Sequence, residues 1–370
     1  MNATREIDLE DAESLLAADR EGLLRAASSA GAQVRSVAAA ADEGALDSLR
    51  AGDRARSVIW VAGPGTAETA GAMLAATLGG AASEPIVVAS EAPPWVGPLD
   101  VLIIAGDDPG DPALVDAAAA GVRRGARVAI VAPYEGPLRD STAGRAAVLE
   151  PRLWVPAEFG LCRYLAAGLA SLQIVDPRMN IDLASLADEL DAEALRNSAG
   201  RELFTNPAKT IAARISRRQV ALTGDCAATL ALARHGSSTL LRIAHRMVAA
   251  AGLADAVVAL HASDEFQDGP SSVDALFHDE EIDGPLPERL RVLALTLAED
   301  RTVVAARIAG LDDIYLIAAE DVPDMPDPAV GLAGSAALRA PTGAERAENQ
   351  LAILAVRLEM AAVYLRLVRG

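Results

Sequence analysis

The fold class follows from one stretch of the chain, Ser57-Val-Ile-Trp-Val-Ala-Gly-Pro-Gly-Thr66. Its first six residues are mainly apolar and do not alternate with polar ones. A glycine–proline turn and a helical pattern over residues 67–78 follow. Continuous apolar strands are typical of parallel sheets that helices cover on both faces. The stretch therefore predicts a strand–turn–helix unit of an α/β fold.

The same alternation continues on the C-terminal side of this unit. Strands are predicted over residues 85–89, 99–105 and 127–132, and a helix over residues 111–125, which Gly125 ends. A charged linking helix is predicted over residues 185–201, with Ser185 as its N-cap. Beyond it, the predicted helices cover residues 207–215, 227–233 and 240–251, and the predicted strands cover residues 219–223, 256–260, 289–297, 303–308 and 314–318.

These patterns predict two related domains, each an αβα sandwich around a parallel sheet. The first covers residues 51–184 and the second residues 206–370, with a linking helix over residues 185–205 between them. Leading helices are predicted within an N-terminal segment, residues 1–50, and a loop is predicted over residues 322–340. A long C-terminal helix is predicted over residues 344–368.

Composition and charge argue against several classes of function. The formal net charge is −19, which opposes binding to nucleic acid, and no basic cluster offsets it. No apolar run reaches the length of a membrane span, and the first residues lack the apolar core of a signal peptide. The two cysteines form neither a disulfide framework nor a four-ligand zinc site. We therefore expect a cytoplasmic protein without nucleic-acid or membrane partners.

Cofactor motifs are missing from the sequence. The chain has no P-loop, no dinucleotide-binding fingerprint and no zinc-ligand spacing. No cofactor is therefore predicted.

Four short motifs, in this order, connect the chain with a known family. They are Ala92-Pro-Pro-Trp-Val-Gly, Arg123-Arg-Gly-Ala, Asn206-Pro-Ala-Lys and Ala362-Val-Tyr-Leu. With them the chain resembles the bifunctional phosphoglucose/phosphomannose isomerases, in particular the actinobacterial TobH-type proteins, whose two domains have the sugar-isomerase (SIS) fold. The resemblance implies two SIS-like domains, a homodimer, and aldose–ketose isomerisation of glucose or mannose 6-phosphate.

That reaction needs a phosphate cradle, a ring-opening histidine, a carboxylate base and a cation near the enediolate. The first cradle loop corresponds to Gly63-Pro-Gly65-Thr66, where backbone N–H groups at a helix start could face an anion. Thr66 could supply a hydroxyl, because Ala67 stands where the family has serine. The alternative is a tight turn whose glycines only permit the backbone geometry.

The second cradle loop corresponds to residues 106–111, counted back from Arg124-Gly-Ala. The family has three hydroxyl side chains here, whereas this chain has Asp107, Asp108 and Asp111. Two like charges about 4 Å apart repel by about 4 kcal/mol at an effective dielectric constant of 20, so a phosphate dianion should bind poorly. The three carboxylates could instead hold a divalent cation, as metal-ligand candidates, or stabilise a helix N-terminus.

Arg163, in Gly160-Leu-Cys-Arg163, matches the family's arginine at the reacting carbons. It could bind an oxyanion, or it could pair with an acid such as Glu158. The family's catalytic glutamate falls on Ala249, counted from Arg242, at a position predicted to be helical. An alanine cannot move a proton, so this part of the machinery is expected to be lost.

The family's His-Asn-Glu motif falls near Ser263-Asp-Glu265. Glu265 and the nearby His261 are therefore catalytic candidates together with Arg163. His235 and His245 are candidates by proximity alone, and a lone histidine on a helix is more often a packed or solvent-facing side chain. The candidate ligand-binding residues are Gly63, Gly65, Thr66, Asp108, Asp111 and Arg242.

The sequence therefore favours a SIS-type protein with degenerate catalytic residues. It would bind a carbohydrate derivative and regulate hexose or mannose phosphate metabolism. An active isomerase that uses Thr66, Arg163, His261 and Glu265 is one alternative. A structural partner that acts through dimer surfaces is the other. The C-terminal helix could supply one such surface, or it could pack against its own domain.

Overall fold

The computed structural model describes residues 7–50, 53–216, 218–266, 289–321 and 346–369. Three helices begin the described chain: α1 (Ala12–Ala18), α2 (Leu23–Ala27) and α3 (Ala30–Asp42). Their apolar residues, such as Leu15, Leu24 and Val34, lie in the main hydrophobic core. The leading segment is therefore helical, as predicted.

The first sheet is parallel and has the strand order β2-β1-β3-β4-β5. Its strands are β1 (Ser57–Ala62), β2 (Ile86–Ala89), β3 (Asp100–Ala105), β4 (Arg127–Val131) and β5 (Ala147–Val148), and its helices are α4 (Thr66–Leu78), α5 (Pro112–Arg123) and α6 (Gly136–Thr142). In β1, Val58 and Trp60 face one core cluster, and Ile59 and Val61 face another. The two buried faces explain why the strand shows no polar alternation.

The second sheet is also parallel, with the order β7-β6-β8-β9 among the described strands. These are β6 (Val220–Gly224), β7 (Ala249–Gly252), β8 (Arg291–Leu295) and β9 (Ile314–Ile317). The helices of this half are α9 (Pro207–Ile215), α10 (Ala227–Ala244), α11 (Leu253–Phe266) and α12 (Arg301–Ile308). Each sheet thus places its first strand between its second and third, so the two halves share one topology. The predicted α/β class with two parallel sheets is confirmed.

Two long helices, α7 (Leu161–Val175) and α8 (Leu183–Arg196), lie between the two sheets in sequence. A third, α13 (Ala347–Arg369), ends the described chain. Nearly every residue of α13 is buried, and it contacts α8, α9 and α10. A helix that is buried on nearly every face belongs to the core, and the buried charges of α13 have partners: Arg357 pairs with Glu193 and Glu359 with His235. The described part of the C-terminal helix is therefore enclosed by its own chain, as the alternative of packing against its own domain predicts.

Several sequence predictions in the second half are wrong. Residues 256–260 and 303–308, predicted as strands, lie in α11 and α12, and residues 249–251, predicted as helix, belong to β7. The two predicted helices over 227–233 and 240–251 have the wrong bounds. One helix, α10, covers residues 227–244, and the last residues of the second predicted helix lie in β7. Short alanine- and valine-rich runs fit either period, so periodicity alone cannot separate helix from strand. The predicted loop over residues 322–340 lies outside the described residues.

Helix α8 begins two residues before the predicted cap. Asp182, not Ser185, is the N-cap, and its carboxylate accepts a hydrogen bond from the backbone N–H of Ser185 at 2.9 Å. The chain offered two good capping residues within one turn, and the earlier one is used.

Two of the four sequence motifs meet in the core. Asn206 caps α9, and the ammonium group of Lys209 donates to the carbonyl oxygens of Ala199 and Arg201 at 2.8 and 2.7 Å. The same ammonium lies 5.7 Å from the ring centre of Tyr364 in α13. These residues fix α9 against the terminal helix. Both motifs therefore have a structural role in packing, and the resemblance based on them concerns the fold.

Across residues 7–50, 53–216, 218–266, 289–321 and 346–369, every helix is too short or too polar to cross a lipid bilayer.

Candidate functional site

The turn between β1 and α4 leaves a helix N-terminus open. Gly65 is the N-cap, with a φ of 105°, and it makes no side-chain capping hydrogen bond. The first N–H groups of an α-helix have no partner within the helix, and the helix dipole makes this end positive. The turn therefore offers donors to a polar or anionic ligand.

A cavity of about 270 Å³ opens at this turn, between α4 of the first half and α10 of the second. Its lining combines hydroxyl groups, charges and small residues: Gly65, Thr66, Glu68, Thr69, Ala72, Glu158, Ala231, Arg234, His235, Ser238, Thr239 and Arg242. Arg242 pairs with Glu158 at 2.5 Å. The cavity thus contains two arginines and two glutamates, whose charges balance, so its polar lining is close to neutral overall.

His235 reaches the cavity wall from α10 and is held from behind by Glu359 of α13. The imidazole Nε2 lies 2.9 Å from Glu359 Oε1, and both side chains are buried. Burial raises the pKa of Glu359, although the hydrogen bond to His235 opposes this. Because Nε2 is engaged with Glu359, Nδ1 is the ring nitrogen that remains for a ligand.

In the loop after β3, residues 106–111, the aspartate side chains are bound by donors of the protein itself. Asp107 Oδ1 accepts hydrogen bonds from Arg163 Nη2 at 2.9 Å and from Tyr164 Oη at 2.7 Å. The Arg163 guanidinium also lies 4.1 Å from the Tyr164 ring centre. Burial raises the pKa of the Tyr164 hydroxyl, so it acts as a neutral donor. The alternative that Arg163 pairs with an acid is confirmed, but the acid is Asp107, because Glu158 pairs with Arg242.

The other two aspartates of this loop support the backbone. Asp108 accepts a hydrogen bond from the N–H of Gly110 at 2.8 Å, and Asp111 caps α5 by accepting from the N–H of Ala113 at 2.9 Å. Within the part of the chain that the structure describes, no group of three or more His, Cys, Asp or Glu residues has the arrangement of a metal site. Asp111 therefore acts as a helix cap, as the alternative to a metal site holds, and Asp108 stabilises a local turn.

Comparisons with solved structures recover the same architecture. Tagatose-6-phosphate ketose/aldose isomerase from Escherichia coli aligns with a TM-score of 0.60 and 15% identity, over 95% of this chain and 92% of that chain. A candidate phosphosugar isomerase of Clostridium difficile 630 gives a TM-score of 0.58 and 12% identity, over 95% and 93% of the two chains. The chain has the fold of these phosphosugar isomerases.

A third structure widens the range of chemistry on this fold. The C-terminal domain of glucosamine-fructose-6-phosphate aminotransferase from Francisella tularensis gives a TM-score of 0.55 and 10% identity, over 94% of this chain and 96% of that chain. No protein-family model and no curated protein sequence matches the chain. At such identities the likeness shows the fold, and function has to be argued from the site.

The structure brings together only part of the predicted site. Gly65, Thr66 and Arg242 line the cavity. Three other predicted ligand residues, Gly63, Asp108 and Asp111, do not line it, and Gly63 faces Asp111 instead.

The predicted catalytic residues do not meet in this cavity either. Arg163 is bound to Asp107, and His261 is an exposed residue of α11. Glu265 lies in the same helix, but its side chain lies outside the described residues. Ala249 lies in β7, so the helical position expected from Arg242 is wrong.

Sequence reasoning missed the importance of His235 and did not notice Glu359. One signal was available: Glu359 is an acid within a long apolar helix pattern, and a buried acid requires a partner.

Proposed function

We propose that this chain binds a carbohydrate derivative in the cavity between α4 and α10, and that it regulates hexose or mannose phosphate metabolism without isomerising a hexose 6-phosphate. One observation carries the proposal: Asp107 occupies the anion position in front of Arg163, where it is also bound by Tyr164. The protein's own carboxylate thus neutralises the cation that the resemblance places at the reacting carbons.

Electrostatics disfavour a phosphate at this loop. Asp107, Asp108 and Asp111 surround it, and a phosphoryl group about 4 Å from one carboxylate would be repelled by about 4 kcal/mol at an effective dielectric constant of 20. To reach Arg163, the ligand would also have to break the charge-assisted hydrogen bond to Asp107, which is the stronger kind of hydrogen bond. A neutral ligand meets neither obstacle.

The α4–α10 cavity matches a neutral polyol. Its charges balance, and Thr66, Thr69, Ser238 and Thr239 bring hydroxyl groups to its wall. Its volume, about 270 Å³, is close to the lower end of small-ligand sites, which start at about 300 Å³. A single sugar ring fits these limits, and its hydroxyls can accept from the open N-terminus of α4.

An active isomerase is the second candidate, and the His235–Glu359 pair favours it. A histidine oriented by a buried carboxylate is a common general base, and Nδ1 would be its working nitrogen. The proton transfer between C1 and C2 would then depend on a residue outside the family's own set.

Calorimetric titration separates these functions. Glucose, mannose and their 6-phosphates would be titrated into the wild type, Asp107→Ser and Asp108→Ser. We expect the neutral sugars to bind at least tenfold more tightly than the phosphates in the wild type. Asp107→Ser should raise phosphate affinity at least tenfold, because it frees Arg163 and adds a hydroxyl. Asp108→Ser also removes a negative charge from the loop but leaves Asp107 on Arg163, so it should raise phosphate affinity less than Asp107→Ser does.

Tighter binding of glucose 6-phosphate than of glucose by the wild type would refute the proposal. A coupled assay with fructose 6-phosphate tests the second candidate. Turnover that disappears in His235→Ala would establish it, and no turnover is the result that we expect.

We also propose a cytoplasmic homodimer. The support is the SIS-like resemblance and two cysteines that are free in the structure, as a reducing compartment would keep them. Sedimentation velocity would measure the dimer directly.

A further inference from the structure

A second cavity of about 270 Å³ lies in the C-terminal half, between α9, the edge strand β9 and the start of α12. Its wall is lined by Pro207, Thr210, Ile211, Arg214, Arg301, Leu316, Ile317, Asp321 and Arg357. None of these residues lines the α4–α10 cavity. The two cavities are therefore separate sites.

Two of the three arginines here are fully engaged. Arg357 pairs with Glu193 at 2.6 Å and donates to the carbonyl oxygens of Ala318 and Ala319. Arg301 pairs with Asp321 at 2.6 Å and with Glu320 at 3.1 Å. Their charges are thus balanced within the protein.

The third arginine, Arg214, differs from them. Across the described ranges it has no ion pair, and its guanidinium stacks on the Tyr315 ring, 4.4 Å from the ring centre. A second cation, Arg291, lies 5.4 Å from the same ring and donates to the Arg214 carbonyl oxygen. Burial lowers the pKa of Arg214, and the charge of Arg291 acts in the same direction.

A half-buried arginine beside another cation is an unfavourable arrangement on its own. Removing a charge from water is costly unless an opposite charge compensates. Among the described residues, Asp321 acts on this guanidinium only through its Coulombic field, and no acid forms an ion pair with it. Stacking on Tyr315 fixes the guanidinium plane, which favours bidentate binding of a flat or tetrahedral oxyanion.

We propose that this second cavity binds a small organic oxyanion, a phosphate ester or a carboxylate, through the guanidinium of Arg214. Thr210 lies on the same wall, and Pro207, Ile211 and Leu316 form an apolar surface for the organic part of the ligand. Arg214 supplies the charge, Tyr315 holds its plane, and Asp321 discriminates against oxyanions of high charge.

Titration calorimetry with three probes tests this site: inorganic phosphate, phenyl phosphate and benzoate. The two aromatic probes distinguish a phosphate ester from a carboxylate. We expect phenyl phosphate or benzoate to bind at least fivefold more tightly than inorganic phosphate, because each adds apolar contact. Arg214→Gln should weaken that binding at least tenfold, and Arg214→Lys by an intermediate factor. Asp321→Asn should strengthen it severalfold.

Arg145→Gln is the matched control, because Arg145 is exposed on a turn of the first half. It should leave binding unchanged, as should Arg242→Gln, which alters only the α4–α10 cavity. Circular dichroism and thermal melting would verify that each variant is folded. Equal binding by the wild type and folded Arg214→Gln, or no binding of any probe by the wild type, would overturn the proposal. Loss of binding in Arg242→Gln instead would assign the oxyanion to the first cavity and would also overturn it.

Discussion

The β1–α4 and β6–α10 turns occupy the same place in the two halves, but only the second is followed by a helix with a side-chain cap. α4 begins after Gly65 without a side-chain cap, and a cavity opens in front of it. α10 begins after Cys226, which exchanges hydrogen bonds with Thr229 in a capping box. One topology thus carries an open helix end in the first half and a closed one in the second.

The closure in the second half extends to the neighbouring strand. Asp225 accepts hydrogen bonds from Thr229 Oγ1 at 2.8 Å and from Thr296 Oγ1 at 2.9 Å, which ties the turn after β6 to the end of β8. The backbone N–H groups of Cys226 and Thr229, two of the donors at this helix start, are therefore occupied by the protein itself. The comparison teaches that a ligand site on this fold depends on which polar groups at the strand ends the chain leaves free.

The largest loss of unfolding free energy is expected from a substitution at Gly224, where the capped β6–α10 turn is most closely packed. A methyl group added at Gly224 would lie 2.1 Å from the backbone nitrogen of Leu230, which belongs to the first turn of α10. Because backbone cannot move aside as a side chain can, Gly224→Ala should cost about 3 kcal/mol of unfolding free energy, measured by urea denaturation.

Gly65→Ala is the matched change in the open turn. A methyl group there meets nothing within 4 Å, so only the φ of 105° is strained, and the loss should be about 1–2 kcal/mol. Equal losses in the two variants would contradict the difference between the turns.

A smaller effect is expected from the carboxylate that closes the second half. Asp225→Ala leaves the hydroxyls of Thr229 and Thr296 without their acceptor, so unfolding free energy should fall by about 2 kcal/mol. Asp111→Ala removes a more exposed helix cap in the first half and should cost about 1 kcal/mol. A larger loss from Asp111→Ala would break the comparison.

The last expected effect is a pH dependence, and it concerns the acid behind the open cavity. Burial raises the pKa of Glu359, so its contribution to stability is greatest below its usual pKa and falls as pH rises through the raised value. Relative to Glu359→Gln, the wild type should therefore lose stability as the pH rises above the ordinary carboxyl pKa, by no more than about 1.4 kcal/mol per pH unit. A difference that stays constant over this range would show that Glu359 does not titrate there.

The strands β1 to β4 of the first half could be predicted from local sequence, because they are apolar runs bounded by turn residues, whereas α6, the two-residue strand β5 and α7 were not predicted. In the second half, the runs around Ala256 and Val303 are short and fit helix and strand equally well, and tertiary packing decided them. Thr66 was found because a strand–turn–helix junction is local. The pairs Asp107–Arg163 and His235–Glu359 join residues 56 and 124 positions apart, and no local pattern encodes such contacts.

A crystal structure of the wild type with glucose, and a second with glucose 6-phosphate, tests the central claim most directly. The account predicts glucose in the α4–α10 cavity at the open end of α4, with Asp107 still bound to Arg163 and Tyr164 in both crystals. A phosphoryl group seated in the loop of residues 106–111, with Asp107 displaced from Arg163, would contradict it.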